Sequence, residues 1–93
     1  MKRPQKWDQK WRVVVFETSE NFSSVPRKLK KEFSDFGFVA IKENVYLHPY
    51  DLFSEAEDAI ERCGLESFVE YVLAEDIEEV KELLLRLSQG RRI

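Results

Sequence analysis

Three valines followed by a phenylalanine, Val13-Val14-Val15-Phe16, constrain this chain more than any other stretch. An unbroken row of β-branched and aromatic residues has the character of a central strand. The strand predicted over 11–17 enters through Trp11-Arg12 and stops on a carboxylate, Glu17. Polar Thr18-Ser19-Glu20-Asn21 follows. A central strand can deliver one acid to a site at its carboxyl end, or it can simply end in water.

The rest of the chain must supply partners for that strand from a short length. Ninety-three residues, 43 % hydrophobic and 35 % charged, make one small domain with one core. The single cysteine, Cys63, excludes an internal disulfide, and the lack of a disulfide framework fits a reducing, cytoplasmic setting. No apolar run approaches the roughly 18–20 residues of a membrane span. Met1-Lys2-Arg3-Pro4-Gln5-Lys6 never becomes the apolar stretch of a secretory signal. A small core without covalent staples raises the expectation of a homodimer.

The net charge of −3 conceals a division. Residues 1–31 hold nine Lys/Arg against three acids, a net of +6, and residues 32–93 hold six bases against fifteen acids, a net of −9. This polarity argues against a generic nucleic-acid binder and for one basic face and one acidic face. The acids read most simply as solvated helix surface. Nine bases with so few compensating acids exceed what solubility needs.

Along the chain, residues 1–10 read as a basic arm pinned by Trp7 or Trp11 as it enters the strand. Its candidate phosphate contacts are Lys2, Arg3, Lys6 and Lys10, with Arg12 just inside the strand. A helix is predicted from Ser23 or Ser24, with Pro26 in its first turn. Val25, Leu29, Phe33 and Phe36 form its apolar stripe, and Gly37 stops it as a left-handed cap. Arg27, Lys28, Lys30 and Lys31 fall off the stripe and outward. Residues 38–48 read as extended, with a bulge or bend at Lys42-Glu43-Asn44, so one bent strand or two short ones. Pro49 closes the segment. Ser54-Glu55-Ala56-Glu57 has the reciprocal capping pattern of a second helix, with Ala56, Ala59, Ile60 and Cys63 inward and Gly64 at its end. Residues 68–73 form another strand. Asp76-Ile77-Glu78-Glu79 caps a third helix, with Val80, Leu83, Leu84 and Leu87 inward and Gly90 after it.

The order implies an α+β fold, a ferredoxin-like βαββαβ sandwich with an additional C-terminal helix. It divides as a basic arm over 1–10, the sandwich over 11–77, and a C-terminal helix with a basic tail over 78–93. Helices on one sheet face leave the other bare, a natural surface for a homodimer. Phe16, Asn44, Tyr46 and Tyr71 are the expected interface residues. No enzyme constellation stands out. His48 is a lone histidine beside Pro49, read as a surface or internally satisfied residue, and Cys63 reads as a small core residue. Glu17 is the one metal-ligand candidate, and a single carboxylate per chain needs a symmetric partner to hold a hard cation such as Mg²⁺.

Certain motifs, in this order and spacing, carry a resemblance. They are Lys6-Trp7-Asp8-Gln9-Lys10-Trp11-Arg12 running into the valines and Glu17, the basic helix, Phe36-Gly37-Phe38, Lys42-Glu43-Asn44-Val45-Tyr46-Leu47-His48-Pro49-Tyr50, and Val72-Leu73-Ala74-Glu75-Asp76-Ile77. Over residues 6–77 the chain resembles the small CRISPR adaptation subunit (the Cas-two family). It also resembles a relative of that subunit, the central domain of PaaX-type transcriptional repressors. The entry Lys-Trp-Asp-x-Lys-Trp-Arg and the exit His-Pro-Tyr look more like the PaaX branch. A chain of this length without that branch's flanking domains looks more like the CRISPR subunit. The resemblance implies a homodimeric scaffold that bridges CRISPR integrase subunits and holds double-stranded DNA by its backbone. Arg27, Lys28, Lys30, Lys31, Lys42 and the arm would face phosphate. It also implies two other readings: a PaaX-like repressor core that dimerises, and a metal-dependent endonuclease using paired Glu17 and Mg²⁺. Where the nuclease members close the first strand with Asp, this chain has the longer Glu17, so no cofactor is required for the leading reading.

Overall fold

The structure, a computed structural model, describes residues 7–17 and 25–90. The valine run becomes β1 (Trp11–Phe16), an interior strand paired along both edges. Its neighbours are β3 (Val45–His48) and β4 (Val69–Ala74), both antiparallel, and β2 (Val39–Lys42) lies outside β3. The sheet order β2-β3-β1-β4, with α1 (Arg27–Phe36) after β1 and α2 (Phe53–Arg62) after β3, is the ferredoxin-like α+β arrangement. A single 3₁₀ turn, Glu66–Phe68, leads into β4.

Alternation sorts the valine run onto two faces. Val14 and Phe16 lie under α1 and α2, among Leu29, Phe33, Phe38, Tyr46, Ala56, Ala59 and Ile60, all buried. Phe33 is the hub of this layer. Its ring stacks on Phe38 with centroids 4.8 Å apart, meets Tyr46 edge-on at 5.1 Å and lies 5.9 Å from Phe16. Val13 and Val15 lie on the other face with Val45, Leu47 and Ala74. They are not open to solvent as the sequence reading expected, because α3 (Ile77–Gly90) crosses that face and seats Val80 on it, with Leu83 and Leu84 packed alongside. The sheet is therefore covered on both sides.

That cover revises the interface expected for a second copy. Phe16 is fully buried and Tyr46 nearly so, both on the α1/α2 side. Tyr71 is half-buried on that same side, edge-on to Phe53 at 5.4 Å. Asn44 is occupied at the end of β1: its Nδ2 donates to the Phe16 carbonyl at 2.7 Å, and its own carbonyl accepts the Phe16 N–H at 2.9 Å. None of the four stands on an open sheet face, since Phe16 and Tyr46 fill the core that a lone chain needs.

The element ends differ from the sequence reading in instructive ways. The bend expected at 42–44 is present as two short strands: Glu43 and Asn44 make the turn, and a register irregularity lies between Ala40 and Lys42 at the end of β2. The capping box at Ser54 does not form. The second helix starts two residues earlier, with Leu52 at the cap position, and Asp51 Oδ1 accepts the Phe53 N–H at 3.3 Å instead. The third helix is capped as expected: Asp76 accepts the Glu79 N–H at 3.0 Å, and Glu79 returns a carboxylate oxygen to the Glu75 N–H at 2.6 Å. The Ser23/Ser24 cap, Lys2, Arg3, Lys6 and the tail Arg91-Arg92-Ile93 lie outside the described residues, as does the side chain of Leu87.

Gly37 ends α1 in the left-handed region (φ 98°), and Gly37 and Phe38 close the turn through hydrogen bonds to the Ser34 and Phe33 carbonyls. A β-carbon at Gly37 would sit 3.2 Å from His48 Nε2, whereas one at Gly64 (φ 72°) would meet nothing within 4 Å. Both positions strain any other residue through a positive φ, and only Gly37 adds a contact with His48. Gly37→Ala is expected to lower the unfolding free energy by about 1–3 kcal/mol, and Gly64→Ala by about 1 kcal/mol. Urea unfolding of the two variants side by side checks this, and equal losses would mean that His48 gives way freely.

Candidate nucleic-acid-binding face

Pro26 precedes α1, the Lys30 N–H donates to its carbonyl, and no side chain caps the helix. Leu29 and Phe33 bury the stripe, with Val25 just ahead of the helix. Arg27, Lys28, Lys30 and Lys31 are all exposed, as the periodicity predicts. These four bases stand in the amino-terminal half of the helix, and its first turn contains no acid. The acids Glu32 and Asp35 come later. This order opposes the helix dipole, which favours negative charge at the start and positive charge at the end. The other helices obey the dipole: α2 has Glu55 in its first turn and Arg62 in its last, and α3 begins with Glu78 and Glu79.

Two ion pairs trim the basic face. Lys31 reaches Asp35 at 3.2 Å, with both side chains mostly in solvent, a contact worth little. Glu32 bonds Arg62 of α2 at 3.0 Å. Arg27, Lys28 and Lys30 have no ion pair among the described residues. Lys42, also exposed, ends β2, where it pairs with Val45 of the α3-side layer and so stands apart from the α1 bases.

Arg12 is not part of that face. Its guanidinium is enclosed, with 11 % of the side chain exposed. Nη1 donates to Asp8 Oδ1 at 3.0 Å, to the Lys10 carbonyl at 3.1 Å and to the Pro49 carbonyl at 2.9 Å, while Nη2 donates to Asp8 Oδ2 at 2.9 Å. A guanidinium enclosed in this way and held by Asp8 and two carbonyls is turned inward and not toward a phosphate, which removes Arg12 from the candidate contacts. The entry to β1 is a hook built around it. Asp8 Oδ1 also accepts the Lys10 N–H at 3.1 Å across Gln9, whose φ is 68°. Trp7 Nε1 donates to the Lys10 carbonyl at 3.0 Å, and the Trp7 and Trp11 rings meet edge-on at 5.0 Å. Lys10, half-buried, is part of this hook. The i, i+4 spacing of Asp8 and Arg12 was the available signal for the pair.

Glu17 is exposed at the end of β1, where its N–H donates to the Phe68 carbonyl at 2.7 Å. Among the described residues no group of three or more His, Cys, Asp or Glu could hold a metal ion. His48 is internally satisfied. Nδ1 accepts the Tyr50 N–H at 2.9 Å, which leaves Nε2 to donate to the Phe36 carbonyl at 3.0 Å. Cys63 is half-buried against the α1/α2 core. No described helix is long and apolar enough to cross a membrane. Among the described residues the arrangement offers a row of exposed cations at the start of α1, of which Arg27, Lys28 and Lys30 have no ion pair.

Comparison with known families places the whole frame. The model of the family described as PaaX protein central Cas2-like domain matches residues 4–84. No curated protein and no solved structure matches the chain.

The hook gives a pH signature. Hydrogen bonds from Arg12, and secondarily from the Lys10 backbone, lower the Asp8 carboxyl from its ordinary 3.8 to about 2. A carboxyl depressed on folding stabilises the native state fully above its unfolded value and loses that contribution as pH falls through 3.8 toward 2. Asp8→Asn is expected to melt below the parent at pH 7, with the gap closing as pH falls from 4 to 2. Thermal melts across that range check it. A gap that stays constant would show the carboxylate to be unlinked from folding.

Proposed function

The chain belongs to the PaaX central Cas2-like domain family, and from that premise we propose a module that holds duplex DNA by its phosphate backbone through α1. The observation that carries this reading is the charge order of α1. Four exposed bases crowd a helix start that electrostatics reserves for acids, while the other two helices keep the normal order. An arrangement that disfavours the free helix is accounted for when a row of anions lies against it. Lys and Arg give contacts that position a backbone. The helix contains no Asn or Gln, the residues that read adenine edges, so the reading is of sequence-independent binding. Lys42 lies off the α1 face. Lys10 with the arm residues Lys2, Arg3 and Lys6 would add contacts at the entry to β1. Arg12 would not.

The role is to hold and not to cut. Glu17 belongs to no larger group of potential ligands among the described residues, so an endonuclease would need the Glu17 of a second copy and Mg²⁺ between them. A homodimer would present two basic faces. With α3 lying on the sheet, the two copies would meet through surfaces other than Val13 and Val15.

Two settings use such a module. In a CRISPR adaptation complex it would bridge integrase subunits and present the duplex, in the cytoplasm. In a PaaX-like repressor it would be the core that dimerises. The matched family model is drawn from PaaX proteins, which favours the second. Co-purification with an integrase would assign the first.

Replacing Lys28, Lys30 and Lys31 together by Glu tests the DNA face. Anisotropy with a labelled duplex of mixed sequence should show affinity reduced roughly tenfold or more, and a shallower dependence on salt by about 2–3 in log–log slope. Unchanged affinity and slope in a folded triple variant would remove α1 from the reading.

A further inference from the structure

The two edges of the sheet are unlike. β2 has four residues, an irregular register between Ala40 and Lys42, and a lysine at that irregularity. A short strand, a bulge and a lysine are each devices that keep an edge from pairing with a foreign chain. β4 has none of them. It runs six residues, pairs with β1 without interruption from Phe16↔Val69 to Trp11↔Ala74, and contains no Lys, Arg or Pro. Leu73 stands on it 47 % exposed.

The ladder fixes which backbone groups face outward. Glu17 donates its N–H to the Phe68 carbonyl. Antiparallel pairs alternate between bonded and non-bonded, so Glu70, Val72 and Ala74 turn their N–H and C=O toward β1. Val69, Tyr71 and Leu73 turn theirs away. The backbone groups of Tyr71 and Leu73 meet no partner among the described residues.

The rim of this edge is acidic. Glu70 is on the strand itself, and Glu57 and Glu61 of α2 are exposed beside it. Phe53 of the same helix packs edge-on against Tyr71. Burial pushes the Tyr71 phenol above its ordinary value, and the nearby charges of Glu57 and Glu61 add to that. The neighbouring cations in sequence are turned elsewhere, Arg62 to Glu32 and Lys81 to Glu78.

We propose that the β4 edge accepts, as a fifth strand, an extended basic segment of a partner protein in which apolar residues alternate with Lys or Arg. Main-chain bonds to Tyr71 and Leu73 hold the strand, its cations fall on the α2 side beside Glu57 and Glu61 with their stems over Leu73, and its apolar side chains fall on the opposite face beside Val72. A second copy of this chain is the poorer occupant. Two-fold pairing of β4 with itself would set both acidic rims side by side, and like charges across a ladder oppose pairing. The site is at the opposite edge of the sheet from α1's neighbours β2 and β3, so it stands or falls separately from the DNA face.

The test uses the full chain and a fluorescein-labelled hexapeptide alternating Lys and Val, with an alternating Glu and Val peptide as control. The Lys peptide should bind and the Glu peptide should not. Binding should slow hydrogen exchange at the Tyr71 and Leu73 amides. Leu73→Pro removes an outward N–H, where an edge strand tolerates proline, and should weaken binding roughly tenfold. The surface double variant Glu57→Lys/Glu61→Lys should weaken it similarly while leaving the fold intact. The α1 triple variant should bind the peptide like the parent. Equal binding of both peptides, indifference to both β4-side variants, or no binding at all would overturn the proposal. A concentration-dependent dimer abolished by Leu73→Pro would also overturn it, by assigning the edge to a second copy.

Discussion

β1 is hydrogen-bonded along both edges and apolar on both faces, and each neighbouring layer is placed by one of those four contacts. Its edges select β3 and β4, in registers that run without interruption from one end of β1 to the other on the β4 side. Its faces divide Val14 and Phe16 from Val13 and Val15 and so create two cores of unequal size. A one-residue slip of β1 would exchange the two sets and bring Arg12 and its neighbours out of phase with Asp8 and Pro49. The hook at the entry and Asn44 at the exit fix the two ends of the same strand, one through a guanidinium and the other through a side-chain amide.

Much of this was legible in the chain. The element order, the α1 stripe, the left-handed stop at Gly37 and the Asp76 cap are local patterns, and local patterns survive tertiary packing when nothing competes. The Ser54 box failed because Asp51 is placed one residue ahead of Leu52 and offers the first helical N–H a carboxylate sooner. The open sheet face was a misreading of the valine run itself. A strand with one wet face alternates, and Val13-Val14-Val15-Phe16 does not, so cover on both sides was already written in the residues. The third helix carries the corresponding apolar side in Val80, Leu83 and Leu84.

The basic residues show where a linear reading stops. Charge along the chain gave nine bases in the first third, yet among the described residues only Arg27, Lys28, Lys30 and Lys31 of α1 stand together as exposed cations. Arg12 has the same charge and a different fate, because strand alternation aims it inward beside His48 and Asp8. Sequence polarity becomes lateral polarity because α1 sits over the β2/β3 side and α2 over β4, with β1 between. Charges on opposite flanks of a small sheet interact weakly at physiological salt.

The unequal cores set an order of release. Among the described residues α3 buries one side chain completely, Val80, with Leu83 and Leu84 half-covered and Leu85 63 % exposed. The α1/α2 layer holds ten buried residues. The third helix is therefore the first element to lift when the molecule breathes, and its amides should trade protons with water well before those of β1. Each such excursion uncovers a flat, valine-lined surface that is sticky in the way amyloid-forming strands are. The shelf life of a concentrated solution of this protein should thus be governed by one thinly anchored helix, and a better-anchored α3 should prolong it without touching the rest of the molecule.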